Sequence, residues 1–105
     1  MLILETPTFT RRIQRILDEE SYRLLQLHLF SRPDAGKLIQ GSGGIRKIRW
    51  APRGKGKRGG TRILYYWAVD DDTILMLFAF EKNERDNLTP AQLKQLAEIV
   101  QEEFK

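Results

Sequence analysis

The chain has 105 residues, of which 41% are hydrophobic, so it is long enough for one small domain with its own core. It carries 18 Lys and Arg against 14 Asp and Glu, and the formal net charge of +4 favours a polyanionic partner such as RNA or DNA. The absence of cysteine excludes disulfide bonds and thiolate metal sites, and no apolar run reaches transmembrane length. The first residues, MLILETPTFTRR, lack the pattern of a signal peptide. We therefore expect a single cytoplasmic domain over residues 1–105, without membrane contact.

The N-terminal third predicts one strand followed by a helical hairpin. Leu2–Glu5 is short and apolar, as in a strand. A first helix follows, with Thr8 as a possible N-cap and apolar residues at helical spacing: Phe9, Ile13, Ile16 and Leu17. Asp18 opens a second helix, because the acidic residues after it favour the positive end of a helix dipole. Pro33 ends this helix, whose buried face is formed by Tyr22, Leu25 and Leu29.

The middle of the chain predicts three strands joined by turns. Residues 41–44 (GSGG) form a turn, and Ile45–Trp50 forms a strand with Ile48 and Trp50 on one face and Lys47 and Arg49 on the other. A glycine-rich and proline-rich loop spans residues 51–60. Thr61–Val69 is rich in β-branched and aromatic residues, as strands are. After a turn of three aspartates, Ile74–Phe80 is apolar without alternation, which indicates a central strand covered on both faces.

The C-terminal segment predicts a capped helix. Thr89 and Gln92 form a capping box, Pro90 takes the first helical position, and Leu88 and Leu93 are spaced for a hydrophobic staple. One face of the helix is apolar: Leu93, Leu96, Ala97, Val100 and Phe104. The predicted fold class is therefore α+β, a small antiparallel sheet with an N-terminal helical hairpin and a C-terminal helix.

Most catalytic chemistries find little support in the residues. The only histidine, His28, lies within a predicted helix, where a structural role is the commoner one. Asp70–Asp72 could bind a cation, but an acidic turn is the simpler interpretation. The segment GKGKRGG lacks the P-loop spacing, and no catalytic triad or metal-ligand pattern is present. We expect no metal and no cofactor.

The positive charge is concentrated in residues 46–66, which contain eight Lys and Arg and no Asp or Glu. Lys47 and Arg49 would share a strand face with Arg62 of the next strand, either as plain surface charges or as a phosphate-binding cluster. Such a cluster can act on RNA, because the ribose 2′-hydroxyl is itself the nucleophile. The protein then has to move protons and stabilise a dianionic phosphorane, a task that suits arginine.

From residue 36 onward the chain resembles the RelE/HigB family of type II toxin–antitoxin toxins, and most closely its HigB-type branch. The resemblance rests on the segments GSGGIRKIRWAPRGKGKRGGTRILYYW and ILMLFAFEKNERDNLTPAQLKQL. These contain the glycine-rich basic loop, an R-I-x-Y-Y strand and a K-x-E-x-x-x-L-T-x-x-Q ending. The resemblance implies a RelE-like fold and an endoribonuclease that cuts mRNA in the ribosomal A site and inhibits translation.

The resemblance also implies roles for individual residues. Lys47 or Arg49 would help to deprotonate the 2′-hydroxyl, and Arg62 would hold the phosphate in the transition state. Lys82 would assist the leaving oxygen, and Glu84 would orient a cation or act as a base. Further basic residues would bind RNA: Arg46, Arg53, Lys55, Lys57 and Arg58. The tyrosine that some RelE members place near the C-terminus has no counterpart here.

Toxins of this family are held by a cognate antitoxin, so an antitoxin, the ribosome and mRNA are the expected partners. Two other functions remain open at this point. One is a ParE-like poison of DNA gyrase, because the same fold supports both activities. The other is a non-catalytic RNA-binding module, which would show salt-sensitive binding without cleavage.

Overall fold

The computed structural model describes residues 1–51, 60–84 and 87–104. The elements in chain order are β1 (Leu2–Glu5), α1 (Pro7–Ile16), α2 (Glu19–Ser31), β2 (Lys37–Leu38), β3 (Ile45–Trp50), β4 (Thr61–Ala68), β5 (Thr73–Glu81) and α3 (Pro90–Phe104). The strands form one sheet in the order β1-β5-β4-β3-β2. The predicted α+β class, with its helical hairpin and C-terminal helix, is confirmed. Within the described ranges, no helix is both long and apolar enough to cross a membrane.

The sheet contains two pairings that the sequence did not indicate. Strands β5, β4, β3 and β2 are antiparallel neighbours, but β1 pairs in parallel with β5. Strand β2 has only two residues, which is too short for any alternation to be read from the sequence. It pairs Lys37 with Lys47 and thereby widens the sheet at the edge of β3.

The sheet is packed on both faces. Helices α1 and α2 cover one face through a cluster that includes Phe9, Ile13, Leu25, Leu29, Ile63, Tyr65 and Met76. Helix α3 covers the other through a cluster that includes Leu96, Val100, Ile45, Leu64, Leu75 and Phe80. Strand β5 contributes to both clusters, as its uninterrupted apolar run predicts.

Helix α1 begins two residues earlier than Thr8 would place it. Thr6 is the N-cap, its hydroxyl accepts from Phe9 N at 3.1 Å, and Pro7 takes the first helical position. The prediction of Thr8 as the N-cap was wrong. The N–H groups in the first turn of a helix have no partner within the helix, so a proline, which has no N–H, is favoured at the first helical position. Pro7 therefore places the start of the helix directly after Thr6. The Thr6 hydroxyl also donates to Leu77 O at 3.0 Å. Leu77 is a bulge residue, because Leu64 pairs with Phe78 and the next residue of β4 pairs with Met76.

A Thr6→Val substitution is expected to lower the free energy of unfolding by about 1–2 kcal/mol, because the cap and the bond to the bulge are lost together. Thr8→Val is the matched control, since Thr8 is exposed and its hydroxyl accepts only from Arg11 at 3.4 Å among the described residues. Urea denaturation of both variants measures the difference. Equal losses in the two variants would contradict the assignment of Thr6 as the cap.

Helices α2 and α3 begin as predicted. The Asp18 carboxylate accepts from Ser21 N at 2.7 Å. Thr89 and Gln92 exchange the two hydrogen bonds of a capping box, at 2.9 and 3.1 Å. These local signals are read reliably from sequence because both partners lie within one helical turn.

A half-buried Tyr22–Glu5 pair joins α2 to β1 and makes the stability of the fold depend on pH in the alkaline range. The Tyr22 hydroxyl donates to Glu5 Oε2, while Thr10 Oγ1 donates to Glu5 Oε1 at 2.6 Å. Burial, and then the Glu5 carboxylate, raise the pKa of Tyr22 above its ordinary value. The neutral phenol is therefore favoured in the folded state.

We expect the free energy of unfolding to fall as the pH rises above about 10, the ordinary tyrosine value. The contribution of Tyr22 is complete below the unfolded pKa and is lost as the pH rises toward the higher folded pKa. Tyr22→Phe should make this slope shallower without removing it, because burial also raises the pKa of Tyr65. Denaturation curves at several alkaline pH values measure the slope, and an unchanged slope in Tyr22→Phe would contradict the assignment.

Candidate functional site

The strand register places four cations on one face of the sheet. Lys37 pairs with Lys47 across β2 and β3, and Arg49 pairs with Arg62 across β3 and β4. Lys47 and Arg49 are two residues apart on β3, so they project from the same face. The predicted grouping of Lys47, Arg49 and Arg62 is therefore present. The sequence analysis missed Lys37, because the two-residue strand that carries it gives no periodic signal.

These side chains line a cleft of ≈ 840 Å³, which we call the cationic cleft. Its walls come from the segment before β2, from β3 and β4, and from the connection that precedes α3. The lining residues are Ala35, Lys37, Lys47, Ile48, Arg49, Trp50, Ala51, Arg62 and Asn87. Among the described residues, the lining contains four cations and no carboxylate. The cleft is therefore suited to an anion, and its volume lies within the range of about 300–1,000 Å³ typical of ligand sites.

Arg62 is the most unusual of the four cations because it is buried. Only 8% of the residue is exposed, and it pairs across β4 and β5 with the fully buried Phe80. Its Nη1 donates to Gly60 O. In the described part of the chain it forms no ion pair with a carboxylate. A buried charge is costly unless it is paired, and no described carboxylate pairs with this guanidinium, so it is suited to bind an anion.

Lys47 is held by a neighbour that the sequence analysis did not single out. Its ammonium donates to Asn87 Oδ1 at 2.8 Å. Asn87 lies just before the capping box of α3, 40 positions along the chain from Lys47. No local pattern links two residues so far apart, and only the packing of α3 against the sheet brings them together. Asn87 thus fixes one donor direction of Lys47 and leaves its own amide group beside the cleft.

The segment before β2 is held against the sheet by Tyr65. The Tyr65 hydroxyl accepts from Gly36 N and donates to Pro33 O, each at 2.8 Å. Burial raises the pKa of this phenol above its usual value, so it stays protonated and keeps donating to the carbonyl. The anchor positions Ala35 and Lys37 as one wall of the cleft.

Arg46 lies on the opposite face of β3, where it pairs with Tyr65. Its Nη1 donates to Asp34 O at 3.1 Å and to Gly36 O at 2.8 Å. The structure thus gives Arg46 a bond to the same segment that Tyr65 holds. Its alternation with Lys47 accounts for this, since neighbouring residues of a strand face opposite ways.

Lys82 and Glu84 lie in the turn after β5 and do not line the cleft. Lys82 is exposed. Glu84 forms an ion pair with Arg12 of α1, and its Oε1 accepts from Glu81 N at 3.2 Å. The Arg12 guanidinium in turn lies 4.8 Å from the ring centre of Phe78. The remaining predicted RNA-binding residues lie outside the described residues: Arg53, Lys55, Lys57 and Arg58.

The described residues offer no metal site. Across residues 1–51, 60–84 and 87–104, no group of three His, Asp or Glu side chains could hold a metal ion. The side chains of the cleft are cationic donors, which bind anions rather than metals.

Two comparisons with known proteins agree with this fold. Residues 3–105 match the family described as the RelE toxin of the RelE/RelB toxin–antitoxin system. The chain therefore belongs to the RelE toxin family, and family membership implies an antitoxin partner. The fold is similar to that of a double arginine-to-alanine mutant of E. coli toxin RelE in the free state, with a TM-score of 0.59 over 94% of this chain and 95% of that chain. The two sequences are 12% identical, so this likeness concerns the fold alone.

Proposed function

We propose that this RelE-family toxin is a metal-independent endoribonuclease that cleaves mRNA in the ribosomal A site and so inhibits translation in the cytoplasm. One observation carries the proposal. Arg62 is a buried cation without a carboxylate partner among the described residues, and it lies on the same sheet face as Lys37, Lys47 and Arg49. A phosphodiester supplies the negative charge that such a face lacks.

The reaction needs no group beyond the RNA and these side chains. The 2′-oxygen forms a bond to the adjacent phosphorus, and the bond from phosphorus to the 5′-oxygen breaks. The products carry a 2′,3′-cyclic phosphate and a 5′-hydroxyl. Arg62 and Arg49 are proposed to bind the non-bridging oxygens, whose negative charge rises in the transition state, so their hydrogen bonds strengthen there.

Two proton transfers accompany these bond changes. We assign Lys47 or Arg49 to help deprotonate the 2′-hydroxyl: Lys47, as the uncharged amine, would accept the proton, or Arg49 would stabilise the oxyanion that forms. The Lys82 ammonium would give a proton to the 5′-oxygen. Asn87 Oδ1 accepts one hydrogen bond from Lys47 Nζ and so fixes the orientation of this amino group. Glu84 is bound to Arg12, so its proposed role is to orient that cation at the end of β5.

The finer classification and the partners follow the same proposal. The basic glycine-rich segment and the K-x-E-x-x-x-L-T-x-x-Q ending favour the HigB-type branch. The cognate antitoxin would neutralise the toxin by covering the cationic cleft with acidic side chains, because their negative charge complements the positive charge of the cleft. The basic residues between β3 and β4 would add phosphate contacts to mRNA or ribosomal RNA.

Mapping of new 5′ ends on mRNA tests the proposal. Purified protein is added to translating ribosomes, with the same mRNA free of ribosomes as the control. Cuts within A-site codons, seen only with ribosomes, are the expected result. An absence of cuts in both samples would contradict the proposal. DNA damage in cells would then favour a gyrase poison, and salt-sensitive RNA binding without cuts would favour a binding module.

A further inference from the structure

We propose that Trp50 forms a stacking subsite for an unpaired nucleobase at the side of the cationic cleft. The inference rests on the proposed function, in that the ligand is single-stranded RNA. It adds a contact to the base, whereas the roles proposed above for the cations concern the phosphate and the sugar oxygens.

Because of the position of Trp50, a single nucleotide could contact the cations with its phosphate and the indole with its base. Trp50 lines the same cleft as Arg49 and Arg62. Arg49 and Trp50 are neighbours on β3, so their side chains leave opposite faces of the strand. The β2 pairing ends at Lys47, which leaves residues 48–50 without a β2 neighbour. Residues that project from both faces of β3 therefore line the cleft, Arg49 from one face and Trp50 from the other.

The surroundings of Trp50 hold the indole in place and favour stacking as its mode of contact with a base. Its Nε1 donates to Ser21 O of α2 at 3.1 Å, so the only polar atom of the ring is already used. The His28 ring packs against it, with the ring centres 5.5 Å apart. Trp50 is half-buried and is one of the residues that line the cleft. A fixed aromatic ring without a free donor can offer only its face, and this favours stacking over a hydrogen bond to a base edge.

This geometry defines the ligand as a base from a single strand. Aromatic rings beside a basic groove stack on bases whose phosphates the groove holds, and this contact tolerates any base because each has a π-face. In an RNA duplex, the stacked neighbouring bases cover both faces of a paired base, so such a base could not stack on the indole. An mRNA codon displayed for decoding presents bases that are not held in a continuous duplex. The subsite would thus add affinity for an exposed codon without fixing its sequence.

Tryptophan fluorescence tests the inference. The chain has two tryptophans, and the other is removed in a Trp67→Phe background. Trp67 Nε1 is buried and makes no hydrogen bond within the described residues, so phenylalanine at this position removes no such bond. The probe is a single-stranded hexanucleotide with 2′-O-methyl riboses, which cannot be cleaved because the nucleophile is blocked. The matched control is an abasic oligomer of the same length and charge.

The hexanucleotide is expected to quench Trp50 saturably, and the abasic oligomer to bind about tenfold more weakly without this quenching. Binding measured through a label on the hexanucleotide should weaken by a similar factor in Trp50→Leu and by less in Trp50→Phe, which keeps a ring. Equal effects of both probes, or equal losses in the Leu and Phe variants, would overturn the inference and leave the bond to Ser21 O as the role of Trp50.

The outcome is separable from the proposed function. Cleavage on ribosomes that Trp50→Leu leaves unchanged would overturn the stacking subsite alone. Base-dependent quenching in a protein that never cuts mRNA would overturn the nuclease alone.

Discussion

An Arg62→Met variant is expected to lose mRNA cleavage by about 100-fold to 1,000-fold, the range found when one preorganised donor to a developing oxyanion is removed. Methionine has similar length and no charge, so it fills the same space against Phe80. The variant should also unfold at the same or a higher denaturant concentration. Arg62 has no carboxylate partner among the described residues, so removing this buried cation relieves its desolvation cost. This offsets the lost bond to Gly60 O, which is worth about 1 kcal/mol.

Two further variants show that the effect belongs to this guanidinium. Arg62→Lys keeps the charge but not the planar fork, and should retain only part of the activity. Lys94→Met removes a cation from the exposed surface of α3 and should leave cleavage and stability unchanged. Single-turnover rates and urea midpoints of all three variants are compared. Wild-type cleavage by Arg62→Met would remove the central residue of the proposed mechanism.

Gly36→Ala is expected to lower the free energy of unfolding by about 1–3 kcal/mol, the cost of overpacking a well-filled core. A Cβ at this position would lie 2.8 Å from Cε1 and 2.9 Å from the hydroxyl oxygen of Tyr65, and 3.1 Å from Cβ of Arg46. Tyr65 is fully buried, so its ring cannot move aside. The added methyl group would push away the segment that carries Lys37, and the cationic cleft would change shape with it.

A double-mutant cycle isolates this contact. Tyr65→Leu removes Cε1 and the hydroxyl group, so Gly36→Ala should cost less in the Tyr65→Leu background than in the wild type. Thermal or urea denaturation of the four proteins gives the coupling free energy. Additive losses would show that the two residues do not meet as the structure describes.

Much of the candidate site could be predicted from short-range pattern. The alternation of Ile45–Trp50 placed Lys47 and Arg49 on one face, and an antiparallel neighbour with Arg62 near its start completed the group. These predictions hold because a strand's period of two is set by backbone geometry and does not depend on the rest of the fold. The capping box of α3 was predictable for the same reason, since both its partners lie within one turn.

What the sequence did not indicate depends on contacts between distant segments. Asn87 meets Lys47 only because α3 packs on the sheet, and Lys37 joins the site through a strand of two residues. Strand β1 pairs in parallel with β5, and nothing in the periodicity of Leu2–Glu5 encodes that direction. RNA binding by Arg46 stays a prediction, and its bonds to the carbonyls of Asp34 and Gly36 on the opposite face of β3 could not be read from the sequence.

One experiment tests the central claim, that the cationic cleft cleaves mRNA on the ribosome, most directly. Wild-type protein and Arg62→Met are added separately to the same translating ribosomes. Each sample is divided to measure ribosome binding by co-sedimentation and to map the 5′ ends of the mRNA. We predict that both proteins bind and that only the wild type produces cuts in A-site codons. Cuts by both proteins, or binding without cuts by either, would contradict the account.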